Sequence, residues 1–194
     1  MPTASCARFA NRRAGPAVIL ETDRLVFDTW QGSDWTELRP LATDAEVMRY
    51  ITGGVPWTDE QVRAFVDRQV KLYSERKFCR WKLLVKPERE TIGFCGAGFW
   101  RDAPDPEIGW WLARRWWGQG LATEAARTAL QHAFEHAGLD RIISVARPEN
   151  TASTRIMEKI GLTRECEFEN EGARLVRYAI DRVRWKLTNE LPPP

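Results

Sequence analysis

The chain has 194 residues, 43% of them hydrophobic, which suits a single packed domain at roughly 100–200 residues per domain. Its 29 Lys and Arg against 27 Asp and Glu leave a net charge of +2, and no dense basic run occurs, so a nucleic-acid surface is not expected. No run of about 18 apolar residues could span a membrane. The four cysteines (Cys6, Cys79, Cys95, Cys166) lie far apart with no C-x-x-C pair, as expected of free thiols in a reducing cytoplasm.

Residues 1–20 carry Arg8, Arg12 and Arg13 but no acid and no apolar signal core. They read as a flexible tail, with a transit peptide as the alternative. The domain is expected over 21–187, and residues 188–194, ending in three prolines, read as a second tail. No internal repeat is visible. Leu25, Val26 and Phe27 open a first strand. Residues 33–41 and 43–51 read as short helices, the second started by a capping box of Thr43 and Glu46. Thr58 and Gln61 repeat that device, and Val62, Phe65, Val66, Val70 and Tyr73 then mark one helix face. Residues 79–85 and 91–100 form a predicted hairpin around a polar turn at Pro87. Gly93, Gly96 and Gly98 within its second arm point to close backbone approach or a bulge.

From Glu107 the pattern becomes strand, glycine turn, long helix, strand and short helix. Leu121, Ala122, Ala125, Ala126, Ala129, Leu130, Ala133 and Phe134 make one apolar stripe, and Gly138 ends the helix. Residues 141–146 read as a strand and 150–160 as a helix closed by Gly161. Residues 163–169 and 173–185 read as a closing hairpin around Glu171 and Gly172. The segment 115–122 carries the chemistry. Gly118 and Gly120 lack a β-carbon, so their turn can approach a ligand closely. The helix that follows starts with unpaired N–H groups and a partial positive charge, which attract phosphate. A P-loop would need Lys-Ser/Thr after the last glycine, where Leu121 and Ala122 stand. A Rossmann fingerprint would need glycine at Thr123.

Arg115-Trp116-Trp117-Gly118-Gln119-Gly120 resembles the acyl-CoA-binding motif of the GNAT superfamily of N-acetyltransferases. The likeness extends to the branch of RimJ/RimL-type ribosomal-protein acetyltransferases, through Trp117 to Ala125, through Asn150 with Ser153, and through Glu158-Lys159 with Gly161. It covers about residues 21–187. The resemblance implies an α/β (α+β) single-domain fold, a mixed sheet of about seven strands with about four flanking helices. Its two central parallel strands, those at Glu107 and Arg141, are expected to splay. Backbone groups of residues 110–113 would then be free for a pantetheine arm, with a bulge among them.

The implied activity is transfer of an acetyl group from acetyl-CoA to a primary amine, without metal, by direct attack in a ternary complex. The cofactor-binding residues expected on that likeness are Trp111, Leu112, Ala113, Arg115, Trp117, Gly118, Gln119, Gly120, Leu121, Ala122, Asn150 and Ser153. Glu107 is the candidate base, with a salt-bridged strand-end acid as its alternative reading. Ser153 would orient a donor to the thioester sulfur, or is a plain first-turn helix residue. Asn150 caps its helix, holds the arm, or both. Arg115 contacts phosphate or balances Asp105 and Glu107. Trp35 and Trp57 are candidates for an acceptor pocket, formed by loops in 28–60 and 163–175. Glu165, Glu167, Glu169 and Glu171 form an acidic arm, either solvated or attracting a cationic amine. His132 and His136, a helical turn apart, lie among the polar positions; a zincin would need Glu where Ala133 stands. The acceptor is a protein N-terminus or a small-molecule amine, and a coenzyme-binding sensor without turnover is the other class. A soluble cytoplasmic monomer or homodimer is expected.

Overall fold

A computed structural model describes residues 20–99 and 104–190. One mixed sheet runs through it in the order β1-β2-β3-β4-β5-β6-β8-β7. Its strands are β1 (Leu20–Glu21), β2 (Leu25–Asp28), β3 (Arg80–Val85), β4 (Glu90–Phe99), β5 (Pro106–Leu112), β6 (Arg141–Ala146), β7 (Thr163–Asn170) and β8 (Ala173–Asp181). The helices are α1 (Trp35–Ala42), α2 (Ala45–Met48), α3 (Asp59–Arg76), α4 (Leu121–Glu135), α5 (Thr151–Lys159) and α6 (Arg182–Glu190). The α/β class holds, with eight strands and six α-helices among the described residues rather than about seven and four. The Arg-rich segment 1–19, Cys6, Trp100 of the predicted hairpin and the three terminal prolines lie outside the described residues.

Each face of the sheet has its own core. On one, the alanine stripe of α4 lets that helix lie close to Trp81, Cys95, Ala97 and Ile108. On the other, α1 and α3 bring Leu38, Leu41, Val62 and Phe65 onto Trp30 and Phe94. Burying such side chains stabilises the fold by about 1.5–3 kcal/mol each.

Several elements differ from expectation. Helix α2 is capped by Asp44, whose carboxylate accepts from the N–H groups of Glu46 and Val47, and not by Thr43, which closes α1. Thr58 and Gln61 do form the expected capping box. The glycines of β4 reflect close approach: a β-carbon at Gly93 would lie 2.0 Å from the Trp111 carbonyl oxygen, and one at Gly96 would lie 2.1 Å from that of Cys79. The irregularity in this region lies between β3 and β4, at Leu83 and Leu84, whereas β5 keeps a continuous register against β4 from Pro106 to Leu112. The expected bulge in residues 110–113 is therefore absent on that side, because the glycine-rich neighbour absorbs the misfit. Residues 182–190, read partly as strand and partly as tail, are helix α6, started by the Asp181 carboxylate on the Arg184 N–H at 2.8 Å.

Candidate active site

Strands β5 and β6 are the parallel pair, and they meet at one register position, Glu107 opposite Ile143. Local chemistry ends the ladder there. The Ser144 hydroxyl donates to the Ile108 carbonyl at 2.9 Å, satisfying the acceptor that the next rung would have used. Beyond it the strands part, as expected. On β5 the hydrogen-bonding direction alternates. Ala113 donates its N–H to Ile92 of β4 at 2.9 Å, so Ala113 and Trp111 turn their backbone groups toward β4. Trp110 and Leu112 turn theirs toward the gap, where the Leu112 carbonyl accepts from the Trp117 indole at 2.7 Å. Of the expected run 110–113, the N–H and C=O of Trp110 and the N–H of Leu112 thus face the opening.

The chain leaves β5 through a single 3₁₀ turn, Arg114–Trp116, and enters α4 through Gly118 and Gly120, both left-handed at φ 74° and 78°. A β-branched or bulky residue would be strained there. Gln119 is fixed at both ends: its side-chain amide donates to the Arg115 carbonyl at 2.8 Å, and its own carbonyl accepts from Arg24 at 2.9 Å. Among the described residues, no hydrogen bond of normal geometry within the chain engages the N–H groups of Gly118, Gln119, Gly120, Leu121, Ala122 or Thr123; the first bonded one is Glu124, to the Gly120 carbonyl at 3.1 Å. Six donors in sequence thus lie at the positive end of a 15-residue helix, where an anion is favoured.

Arg24 was not apparent from the sequence. It lies between β1 and β2, and its guanidinium pairs with Glu124 at 2.7 Å while holding Gln119. Thr22 donates to the same carboxylate, and together these bonds hold the Glu124 carboxyl below the usual range against a burial effect that is the largest influence and opposes them. Arg127 and Lys159 line the same shallow depression beside Gly120. Nothing local in the sequence joins Arg24 to a turn some 95 residues away. Arg115 is exposed and pairs with Glu90, not with Asp105 or Glu107; those two acids are held by Arg141 and Arg80 instead.

Glu107 is 7% exposed at the mouth of the gap. Burial raises its carboxyl above the usual range, while Arg80 and the Val145 N–H oppose that shift. The salt-bridged reading of this acid is therefore present, and burial makes its carboxylate easier to protonate than a free one. Asn150 caps α5, its side-chain oxygen accepting from the Ser153 N–H at 3.2 Å. Ser153 is half-buried. Because α4 and α5 both start at the C-terminal ends of the parting strands, Asn150 and Ser153 share an edge of the sheet with residues 118–122.

On the α1/α3 side the gap is flanked by aromatic rings. Trp57 lies 4.8 Å from Trp111, and Phe65 stacks on Trp111 at 6.3 Å. Trp35 is covered by the Arg63 guanidinium at 4.1 Å. The acidic arm on β7 is largely neutralised: Glu165 pairs with Arg141 and Arg177, and Glu167 with Arg164 and Arg174. His132 departs from the polar side, packing edge-on against Trp81 at 4.8 Å. Its pKa is lowered, first by burial and then by His136. Among the described residues no group of three His, Cys, Asp or Glu could hold a metal ion, and no helix is long and apolar enough to cross a membrane.

A family model for the acetyltransferase (GNAT) domain matches residues 24–163. The uncharacterized N-acetyltransferase YnaD of Bacillus subtilis (strain 168) is 31% identical over 172 residues, 86% of this chain and 98% of that protein. Among solved structures, a GNAT-family acetyltransferase from Bacillus anthracis superposes with a TM-score of 0.72 at 29% identity, covering 84% of this chain and 98% of that one. The RimL ribosomal L7/L12 alpha-N-protein acetyltransferase, solved in complex with coenzyme A, shares the fold with a TM-score of 0.72 at 18% identity, over 85% of this chain and 98% of that one.

Proposed function

This chain is an N-acyltransferase and belongs to the acetyltransferase (GNAT) family, and we propose that it carries an acetyl group from acetyl-CoA to the primary amine of a protein N-terminus. The observation that carries the cofactor half is the run of six unengaged N–H groups from Gly118 to Thr123, at the head of α4 and beside a gap between parallel strands. Those donors would take the diphosphate through charge-assisted hydrogen bonds. The outward-facing groups of Trp110 and Leu112 would pair with the pantetheine amides as a further strand. Trp117, Gln119 and Arg24 shape the turn, Arg115 lies at its edge, and the amide nitrogen of Asn150, not used by the cap, is available to the arm.

The acceptor half rests on proton chemistry. An α-amine with pKa about 8 is neutral in roughly one molecule in ten at pH 7, whereas lysine at about 10.4 is neutral in roughly one in 2,500. Deprotonation thus costs on the order of 1.4 kcal/mol for an N-terminus and about 4.6 kcal/mol for lysine. One buried carboxylate held in an ion pair is a modest base, suited to the smaller task. In the step proposed, the amine nitrogen attacks the thioester carbon while Glu107 accepts its proton, directly or through water. A backbone N–H of β5 stabilises the developing oxyanion, an interaction of about 3–4 kcal/mol where measured in other enzymes. The C–S bond then breaks and the thiolate leaves beside Ser153; with an intrinsic pKa near 8.5 it needs little acid assistance.

Two of the three described cysteines also weigh against a covalent acyl-enzyme. Cys79 and Cys95 are buried with their thiols pushed up by desolvation, which is unfavourable for a covalent acyl carrier. The test is thiol release from acetyl-CoA against a panel of N-terminal peptides, lysine peptides, polyamines and amino sugars. Turnover highest with peptide α-amines supports the proposal. Turnover confined to small amines overturns the acceptor, and tight coenzyme binding with no released thiol makes the protein a sensor.

A further inference from the structure

The side chain of Arg80 crosses the sheet to reach Glu107, and two glycines make room for it. Arg80, Gly96 and Gly109 stand in one row across β3, β4 and β5, and Gly98 faces Glu107 in the next row. A β-carbon at Gly98 would lie 3.1 Å from Arg80 Nη1, and one at Gly109 would lie 3.1 Å from Arg80 Nε. The guanidinium therefore lies flat over β4 and β5, in a trough that any other residue would crowd. The side chains of Arg80 and Glu107 are both largely buried, 15% and 10% exposed as side chains. The Arg80 backbone is anchored as well. The Arg80 N–H donates to the buried Gln69 of α3 at 3.0 Å, and its carbonyl accepts from the Trp30 indole at 2.6 Å.

We propose that Arg80 is a positioning residue for the acyl transfer, seated by Gly98 and Gly109 so that it aims the Glu107 carboxylate into the gap between β5 and β6 and supplies its counter-charge. The proposal rests on Glu107 acting as the base. The other groups around that carboxylate leave Arg80 as its charge partner. From β6 it meets the Val145 N–H. From α3 the neighbour on Arg80 is the uncharged Gln69. Lys82, next on this face of β3, is bound by Asp34 at 2.7 Å and by Glu37, and Asp105 is bound by Arg141. A buried carboxylate without its cation would take up a proton at a higher pH. The guanidinium thus extends the base's working range toward acid and fixes the direction in which it accepts the proton.

The experiment is the pH profile of kcat/KM for Arg80→Gln, Arg80→Lys, Gly98→Ala and Glu107→Gln, each checked by thermal unfolding. Arg80→Gln should move the acidic limb upward by roughly 1–3 pH units, the size of effect expected from losing an opposite charge at close range, with the rate largely recovered at high pH. Arg80→Lys should restore the limb at least halfway. Gly98→Ala, which keeps the charge but crowds its seat, should move the limb in the same direction by less, and it tests the idea even if Arg80→Gln fails to fold. A merely structural Arg80 would lower the rate equally at every pH; that result, with the limb unmoved in folded Arg80→Gln or Gly98→Ala, overturns the proposal while a lost limb in Glu107→Gln leaves the base assignment standing. If Glu107→Gln retains the acidic limb, the base assignment falls and this proposal with it.

Discussion

Replacing Gly120 by asparagine isolates the turn's ligand contacts from its backbone strain. The residue is left-handed at φ 78°, and a β-carbon there would find only Arg24 Nη2, at 3.6 Å. Asparagine visits the left-handed region readily, so the fold should lose less than about 1 kcal/mol, a melting shift within about 4 °C for a chain of this size. The carboxamide, however, would stand beside Arg24 at the head of α4, where the six unengaged N–H groups lie. Losing two charge-assisted hydrogen bonds at about 1.5–3 kcal/mol each would weaken coenzyme binding by about 3–6 kcal/mol, two to four orders of magnitude in Kd. Gly172→Asn is the control: φ there is 72°, nothing lies within 4 Å of a β-carbon, and the turn joins β7 to β8. Calorimetric titration with coenzyme A should show a large loss for Gly120→Asn and none for Gly172→Asn, at similar melting temperatures. Equal affinities in the two variants would refute the assignment of the diphosphate to this turn.

Asn150→Ala should cost about 1 kcal/mol of stability through loss of the α5 cap and also raise KM for acetyl-CoA; Asn150→Asp should restore the melting temperature but not the KM, since it keeps the acceptor and loses the amide donors. Gly96→Ala would place a β-carbon 2.1 Å from the Cys79 carbonyl and 2.7 Å from Trp81, so urea denaturation should show a loss of about 2–6 kcal/mol, combining positive-φ strain with overpacking. His132 has a folded pKa below its unfolded value, so the unfolded chain binds its proton more readily; stability should be fully present above about pH 6.5 and fall as the pH drops through the lowered folded value. In His132→Phe that decline in melting temperature between about pH 7 and 5 should flatten.

What was legible in the sequence was local. The glycine turn and α4 could be read because Gly118, Gly120 and the alanine stripe act through backbone freedom and helical period. The Thr58 and Asn150 caps could be read because a cap acts over three residues. Helix α6 was misread for a reason of the same kind: Val183, Trp185 and Leu187 alternate with basic residues, which is a strand pattern. The Asp181 cap and the packing of Trp185 on Phe134 at 5.3 Å override it. The long-range pairings were illegible. Arg24 to Glu124 and Arg80 to Glu107 join strands and helices distant in the chain, and no local period signals them. Even the trough glycines Gly98 and Gly109 gain a meaning only once Arg80 lies over them.

The single rung between β5 and β6 has a mechanical consequence. The sheet consists of two leaves, β1 to β5 and β6 to β8, stitched at Glu107 and Ile143. Helix α4 packs on β4 and β5 from behind and touches α5, so it acts as the binding along the spine. A molecule threading the open seam would supply rungs that the polypeptide lacks, drawing the leaves together along their length. Amide exchange at Trp110 and Leu112 would slow as it did so, giving a direct gauge of how firmly the book is closed.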